Sequence, residues 1–214
     1  MCLSDATPGM VSAMSATPGT PLTRALRGPS PAPRTAPIDA FRLARKWFLD
    51  GRRVDMQQLA AELGVSRATL YRWCGSRELL IGEVIWSINE RLLHETRTKA
   101  RGSGRALITR VLDRSLARIR DFEALRQFVA EDAEYALRII TSKQSVVQAR
   151  LIEWTADFLR EEVGLRDDID LADLAYVIVR VCESFVWSDM ITGAPPATDK
   201  AVKIVDLLIA AAER

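Results

Sequence analysis

The chain has 214 residues, 48% of them apolar, and a formal net charge of +2, which is enough for a sizeable buried core in one or two domains. No run approaches the roughly 20 uninterrupted apolar residues of a membrane span, and the N-terminus lacks the basic-then-apolar pattern of a secretion signal. Cys2, Cys74 and Cys182 form neither a C-x-x-C pair nor a disulfide framework, so the expectation is a cytoplasmic chain with no membrane partner. The charge is unevenly spread: Lys and Arg exceed Asp and Glu by 13 to 9 over residues 1–98 and fall short by 17 to 19 over residues 99–214. A basic head on a mildly acidic body suits contact with a polyanion at one end.

Residues 1–36 are rich in Ala, Thr, Ser, Pro and Gly, with Ala-Thr-Pro-Gly beginning at Ala6 and again at Ala16. They read as a disordered basic arm carrying Arg24, Arg27 and Arg34, because such a composition buries too little apolar surface to order itself. A helix is predicted from Pro37, where a missing N–H costs nothing, through Leu49, with Gly51 ending it. Ile38, Phe41, Leu43, Ala44, Trp47 and Phe48 give it an apolar side.

The run from Asp55 to Trp73 reads as two short helices joined by a tight turn, a helix-turn-helix. Asp55 caps the first, Leu59, Ala60 and Leu63 form its apolar stripe, and Gly64 lets it stop abruptly. Val65 plugs the corner, and Ser66 is the N-cap candidate of the second helix. Leu70 faces the core while Arg67, Ala68, Tyr71 and Arg72 fall on the other side. That side carries cations and no acid, whereas an ordinary exposed helix mixes signs, so it is the surface expected to enter a DNA groove. Ser76 is the N-cap candidate of a fourth helix to about Thr98, with Glu78 favourably placed in its first turn. Arg77 opposes the helix dipole there and needs another justification, phosphate binding being one.

The run Leu59-Ala-Ala-Glu-Leu-Gly-Val-Ser-Arg-Ala-Thr-Leu-Tyr-Arg-Trp, followed by Gly75-Ser-Arg-Glu-Leu-Leu near the start of a chain of this length, resembles the TetR family of bacterial transcriptional regulators. The resemblance covers residues 38–90. It implies that Tyr71 and Arg77 touch phosphates and that Arg67, Ala68 and Arg72 lie at or near base edges, with Ser66, Thr69 and Trp73 completing the DNA-binding set. One departure is Cys74 where an aromatic residue is usual, and Trp73 is the candidate to take over its packing. The Tyr-Arg-Trp-Cys-Gly-Ser-Arg-Glu-Leu-Leu run is also similar to the QsdR-like subgroup, regulators linked to quorum-signal lactone degradation.

Gly102 and Gly104 mark a break, and the rest reads as helical: about 105–120, then shorter segments to Ala130 and from Asp132 through Thr141. Longer helices are expected from Ser142 to Val163, from Leu171 to about Thr192, and, beyond the separating Ala194-Pro-Pro-Ala-Thr198, to the end. The overall expectation is an all-α chain, with residues 37–98 a helix-turn-helix DNA-binding domain and residues 103–214 a helical ligand-binding and dimerisation domain. The last two helices are apolar on more than one side, which a homodimer through a four-helix interface would cover.

Phe128, Tyr135, Trp154, Phe158, Tyr176, Trp187 and Met190 are candidate walls of an effector cavity, with Arg180, Glu183 and Asn89 as polar groups. Arg180 and Glu183 are spaced to pair with each other. His94 is the single histidine, so no metal set or Ser-His-Asp group is available and no cofactor or enzymatic activity is expected. The sequence therefore points to a homodimeric repressor, bound to a palindromic double-stranded DNA operator and released by a small-molecule effector such as a lactone or acyl compound. Two alternatives stay open: a regulator without small ligand, controlled by a protein partner or by Cys182 oxidation, and a purely structural helical dimer.

Overall fold

The computed structural model describes residues 20–26, 35–142 and 144–214, and among them it is all-α apart from one antiparallel bridge between Leu165 and Glu213. The N-terminal part holds α1 (Pro21–Leu26), α2 (Pro37–Leu49), α3 (Met56–Glu62) and α4 (Arg67–Cys74). Next comes the long α5 (Arg77–Lys99), which reaches from the head into the body. The body continues with α6 (Gly104–Arg120), α7 (Glu123–Glu131), α8 (Ala133–Thr141), α9 (Val146–Glu162), α10 (Leu171–Val186), α11 (Ser188–Ile191) and α12 (Thr198–Ala212). No helix among the described residues is long and apolar enough to cross a membrane.

The helix starts are set by side-chain caps. The Asp55 carboxylate accepts from the backbone N–H groups of Gln57 and Gln58, and the Ser66 hydroxyl from that of Thr69. Ser76 accepts from Leu79 N–H at the start of α5, and Asp132 and Asp170 do the same for α8 and α10. The stops between α3 and α5 use glycine. Gly64 sits at φ 67° and Gly75 at φ 79°, a region that disfavours a Cβ. A Cβ on Gly75 would also stand 2.8 Å from Leu79 Cδ1 and 2.9 Å from Thr20 Cγ2.

Three boundaries differ from the sequence expectation. A helix, α1, stands inside the stretch expected to be disordered. Its order comes from Leu22, which is fully buried where α1 packs on both α2 and α4. Thr20 adds a cap by accepting from Thr23 N–H, and the buried Thr23 hydroxyl reaches Glu83 at 3.5 Å. Residues 1–19 and 27–34, with Arg27 and Arg34, lie outside the described residues. The helix expected from Ser142 starts at Val146 instead. Ser145 explains the shift: its hydroxyl donates to the carbonyls of Ile139 and Ile140, closing α8, and accepts from Gln148 N–H to open α9. The expected helix from Leu171 breaks at Trp187 into α10 and the short α11.

The core runs without interruption from head to body. In the head, Phe41, Ala44, Trp47 and Phe48 of α2 meet Leu59, Leu70 and Cys74. In the body, α9 and α12 pack on α10, and α6 packs on α12. Helices α5 and α9 run in the same direction side by side, from Gly82 against Val146 to Arg97 against Glu161 and Glu162.

Candidate nucleic-acid interface

Helix α4 has two chemically opposite sides. Leu70 and Cys74 are buried, and Trp73 is half-buried against the core. Arg67, Ala68, Tyr71 and Arg72 are exposed, and Thr69 is held half-buried beside the Ser66 hydroxyl, 2.9 Å away. Among the described residues neither Arg67 nor Arg72 is in an ion pair, so both guanidinium groups are free for an incoming anion. The first turn of α4 carries no acid, and its N-terminal dipole adds to the same positive field. Asp55, at the start of α3, is held below the usual carboxylate range, foremost by the Gln58 amide, then by the Gln57 amide and the cations Arg53 and Arg77.

Arg77 has a different setting from the other basic residues of the head. Its Nε donates to the Val54 carbonyl at 2.7 Å, and its guanidinium lies 4.8 Å from the centre of the Tyr135 ring. That contact supplies the justification for a cation at the start of α5, and it links the loop before α3 to α8. Arg52 is likewise occupied, 3.6 Å over Trp47 and bonded to the Gln58 amide.

The residues expected to line one effector cavity are dispersed. Phe128 and Tyr135 join Phe48 in an aromatic row, with ring centres 5.5 Å and 6.2 Å apart, at the junction of head and body. Trp154 lies tilted against the buried Phe158, ring centres 5.1 Å apart, and the Arg97 guanidinium sits 4.4 Å from the Phe158 ring centre. Tyr176 is 50% exposed on the outside of α10, beside the exposed Val177, which takes it out of any interior wall. Trp187 is buried at the break between α10 and α11, Asn89 is buried on α5, and Met190 is half-buried.

Arg180 and Glu183 do pair, at 2.7 Å. The second carboxylate oxygen of Glu183 is buried with no hydrogen bond among the described residues. Burial pushes this carboxyl up to about 7, against the opposing pull of Arg180. The Gln148 amide, turned to satisfy both its ends, accepts from Arg180 and donates to the Thr141 carbonyl. Sequence reasoning named Arg180 and Glu183 but missed Gln148, and it missed the buried pair of Glu83 and Arg150, at 2.7 Å. Glu83 did leave a signal, as a lone acid inside the apolar run from Leu79 to Trp86.

On the outside of the body, Tyr176 and Val177 of α10 and Ile204 and Leu207 of α12 are exposed, Leu207 to 69%. Four exposed apolar side chains on two adjacent helices form a surface that water covers poorly.

Residues 103–210 match the family model of the tetracyclin repressor-like C-terminal domain. No curated protein matches the chain significantly. Among solved structures, the transcriptional repressor QsdR of R. erythropolis, from the TetR family, is 25% identical, with a TM-score of 0.76 over 83% of this chain and 95% of that one. The TetR-family repressor AlkX of Dietzia sp. strain DQ12-45-1b, implicated in biodegradation of n-alkanes, is 22% identical, with a TM-score of 0.57 over 86% of this chain and 97% of that one. A helix-turn-helix head with a free cationic side, set on a body that matches this C-terminal domain over half the chain, identifies the protein as a member of the TetR family.

Proposed function

We propose that the protein is a homodimeric transcriptional repressor that binds a palindromic operator through α4 and is released by a small-molecule effector held in the body. The observation that carries this reading is the acid-free exposed side of α4, with Arg67, Ala68, Tyr71 and Arg72 outward and Leu70 and Cys74 inward. In this reading Arg67, Ala68 and Arg72 meet base edges, while Ser66, Thr69 and Tyr71 meet the backbone. Trp73 and Arg77 act from behind, Trp73 by packing under α4 and Arg77 by holding the loop before α3. The exposed apolar surface of α10 and α12 supports a twofold four-helix interface, which would set two recognition helices about one DNA turn apart.

The polar group of Arg180, Glu183 and Gln148 is the part of the body best equipped to anchor an effector, since Glu183 keeps one buried oxygen free to accept from an N–H or O–H. A lactone or acyl compound, the effector class implied by the QsdR resemblance, offers a carbonyl to Arg180. Release follows as a population shift toward a dimer geometry in which the two α4 helices no longer match successive major grooves. Control through oxidation of Cys182 finds no support, because burial, helped by Glu183, pushes this thiol up to about 12.

The test is a gel shift of the full chain with the DNA flanking its own gene, repeated across a salt series. A saturable complex that weakens with salt and survives competitor DNA is expected. No saturable complex at low salt would overturn the reading.

A further inference from the structure

Glu83 is the point where α1, α5 and α9 meet. Its side chain is only 3% exposed, and its two oxygens accept from Arg150 of α9 at 2.7 and 3.0 Å. One of them, Oε1, also faces the Thr23 hydroxyl of α1 at 3.5 Å. A buried ion pair adds little net stability, since an apolar pair of similar size often does as well, but breaking its geometry is costly. The three groups come from three helices, so that geometry fixes α1 against both α5 and α9.

Helix α1 has six residues, too few to stand as a helix on its own hydrogen bonds. Its placement therefore comes from what it touches. Thr20 accepts from Thr23 N–H and lies 3.0 Å from the Thr23 hydroxyl, which ties the residue that meets Glu83 to the first turn of α1. Helix α1 also packs on α4, with Leu22 fully buried. The Thr20 methyl stands so close to Gly75, the residue that ends α4, that a Cβ there would come within 2.9 Å of it. The same short helix thus touches the buried ion pair of α5 and α9 and the end of α4.

We propose that α1 is a strut through which the junction of α5 and α9 sets the position of α4, with Thr23 as its positioning residue. A shift of α9 along α5 moves Arg150 and, with it, the Glu83 carboxylate that Thr23 meets. Helix α1 follows, and Leu22 and Thr20 carry the shift to α4. This route is separate from the start of α5, where Arg77 holds Val54 and Tyr135. Its consequence for DNA rests on the reading of α4 proposed above, so the coupling is measured first without DNA.

The experiment follows amide hydrogen exchange by mass spectrometry in the full chain. Thr23→Val keeps the shape and removes the hydroxyl, whereas Thr23→Ser keeps the hydroxyl. Thr23→Val should speed exchange over α1 and α4 about three- to tenfold and leave α12 unchanged, and Thr23→Ser should recover most of the protection. Replacing the ion pair by apolar groups, Glu83→Leu with Arg150→Met, should loosen α4 to a similar degree although no residue of α1 or α4 is changed. Adding Thr23→Val to that pair should then loosen α4 no further, because both changes cut the same link. The two Thr23 variants carry the test if the paired variant loses helix content by circular dichroism. Unchanged exchange of α4 in Thr23→Val, an equal rise in α12, or full additivity in the triple variant would overturn the proposal.

On DNA, Thr23→Val should lower specific affinity about fivefold with the salt slope unchanged, since no phosphate contact is lost. A parent chain that binds no DNA, while Thr23→Val still loosens α4, would remove the DNA-binding reading and leave the strut. A parent that binds DNA, with α4 unmoved by Thr23→Val, would do the reverse.

Discussion

Arg77 and Tyr135 connect the two halves of the molecule: the guanidinium lies 4.8 Å from the Tyr135 ring centre while its Nε holds the Val54 carbonyl. Tyr135 is pushed up to about 12 by burial, and its hydroxyl lies by Glu78 and Arg77 without a well-formed hydrogen bond to either. The ring and not the hydroxyl therefore carries the contact.

Arg77→Ala should lower unfolding stability by about 1–3 kcal/mol, the sum expected for a charged hydrogen bond and a partly buried cation–π contact. Arg77→Lys should recover little, since an ammonium cannot face the ring and the carbonyl together. Tyr135→Phe should stay close to the parent. Urea unfolding measures all three. A role for Arg77 at phosphates predicts instead unchanged stability and a salt slope of DNA binding reduced by about one.

On α4, Tyr71→Ala should weaken binding of all DNA sequences alike, while Arg72→Ala should cost about 1–3 kcal/mol on the operator and relax preference at one base position. Fluorescence anisotropy on operator and scrambled duplexes separates the two effects. Wild-type affinity and preference in both variants would show that α4 does not read DNA.

The head was largely legible in the sequence because its signals are local. Asp55, Ser66 and Ser76 each satisfy an N–H two or three residues away, and Gly64 marks a backbone angle, so short-range chemistry names them before any fold is known. The packing of Arg77 and of Leu22 was not legible, for the opposite reason. Their partners, Tyr135 for one and the seat between α2 and α4 for the other, are far away in sequence or depend on packing that no local pattern encodes. The surroundings of the effector candidates were the least legible. An aromatic at helical spacing can line a cavity, fill a core or lie outside, and Tyr176, on the same helix as the buried Glu183, proved to face outward.

Glu183 predicts a pH dependence. Its folded carboxyl is raised to about 7 from an ordinary value of 4.5, so the folded state keeps a proton that the unfolded state releases. Between these two values folding takes up a proton, and stability falls as pH rises through this window, then levels off above it. Glu183→Gln resembles the protonated form. It should match the parent near pH 4 and exceed it at pH 8 by up to about 3 kcal/mol. Urea unfolding of both proteins at the two pH values checks this, and an undiminished decline in the variant would assign the effect to another group.

Leu207, 69% exposed on α12, is the most sensitive reporter of the proposed dimer. Leu207→Glu would place a charge in an apolar interface and should convert dimer to monomer in sedimentation at micromolar concentration, with helix content kept. Ala106→Glu, exposed on α6, should leave the dimer intact.

The seat of Leu22 bears on how such regulators can be recombined. Because α1 rests on α4 as well as α2, the N-terminal head includes Pro21–Leu26 and does not start at Pro37. A chimera that grafts this head onto the body of a relative should carry residues 20–26 with it. A graft beginning at Pro37 would leave the apolar backs of α2 and α4 uncovered where Leu22 had sat, and α4 would lose one of its supports.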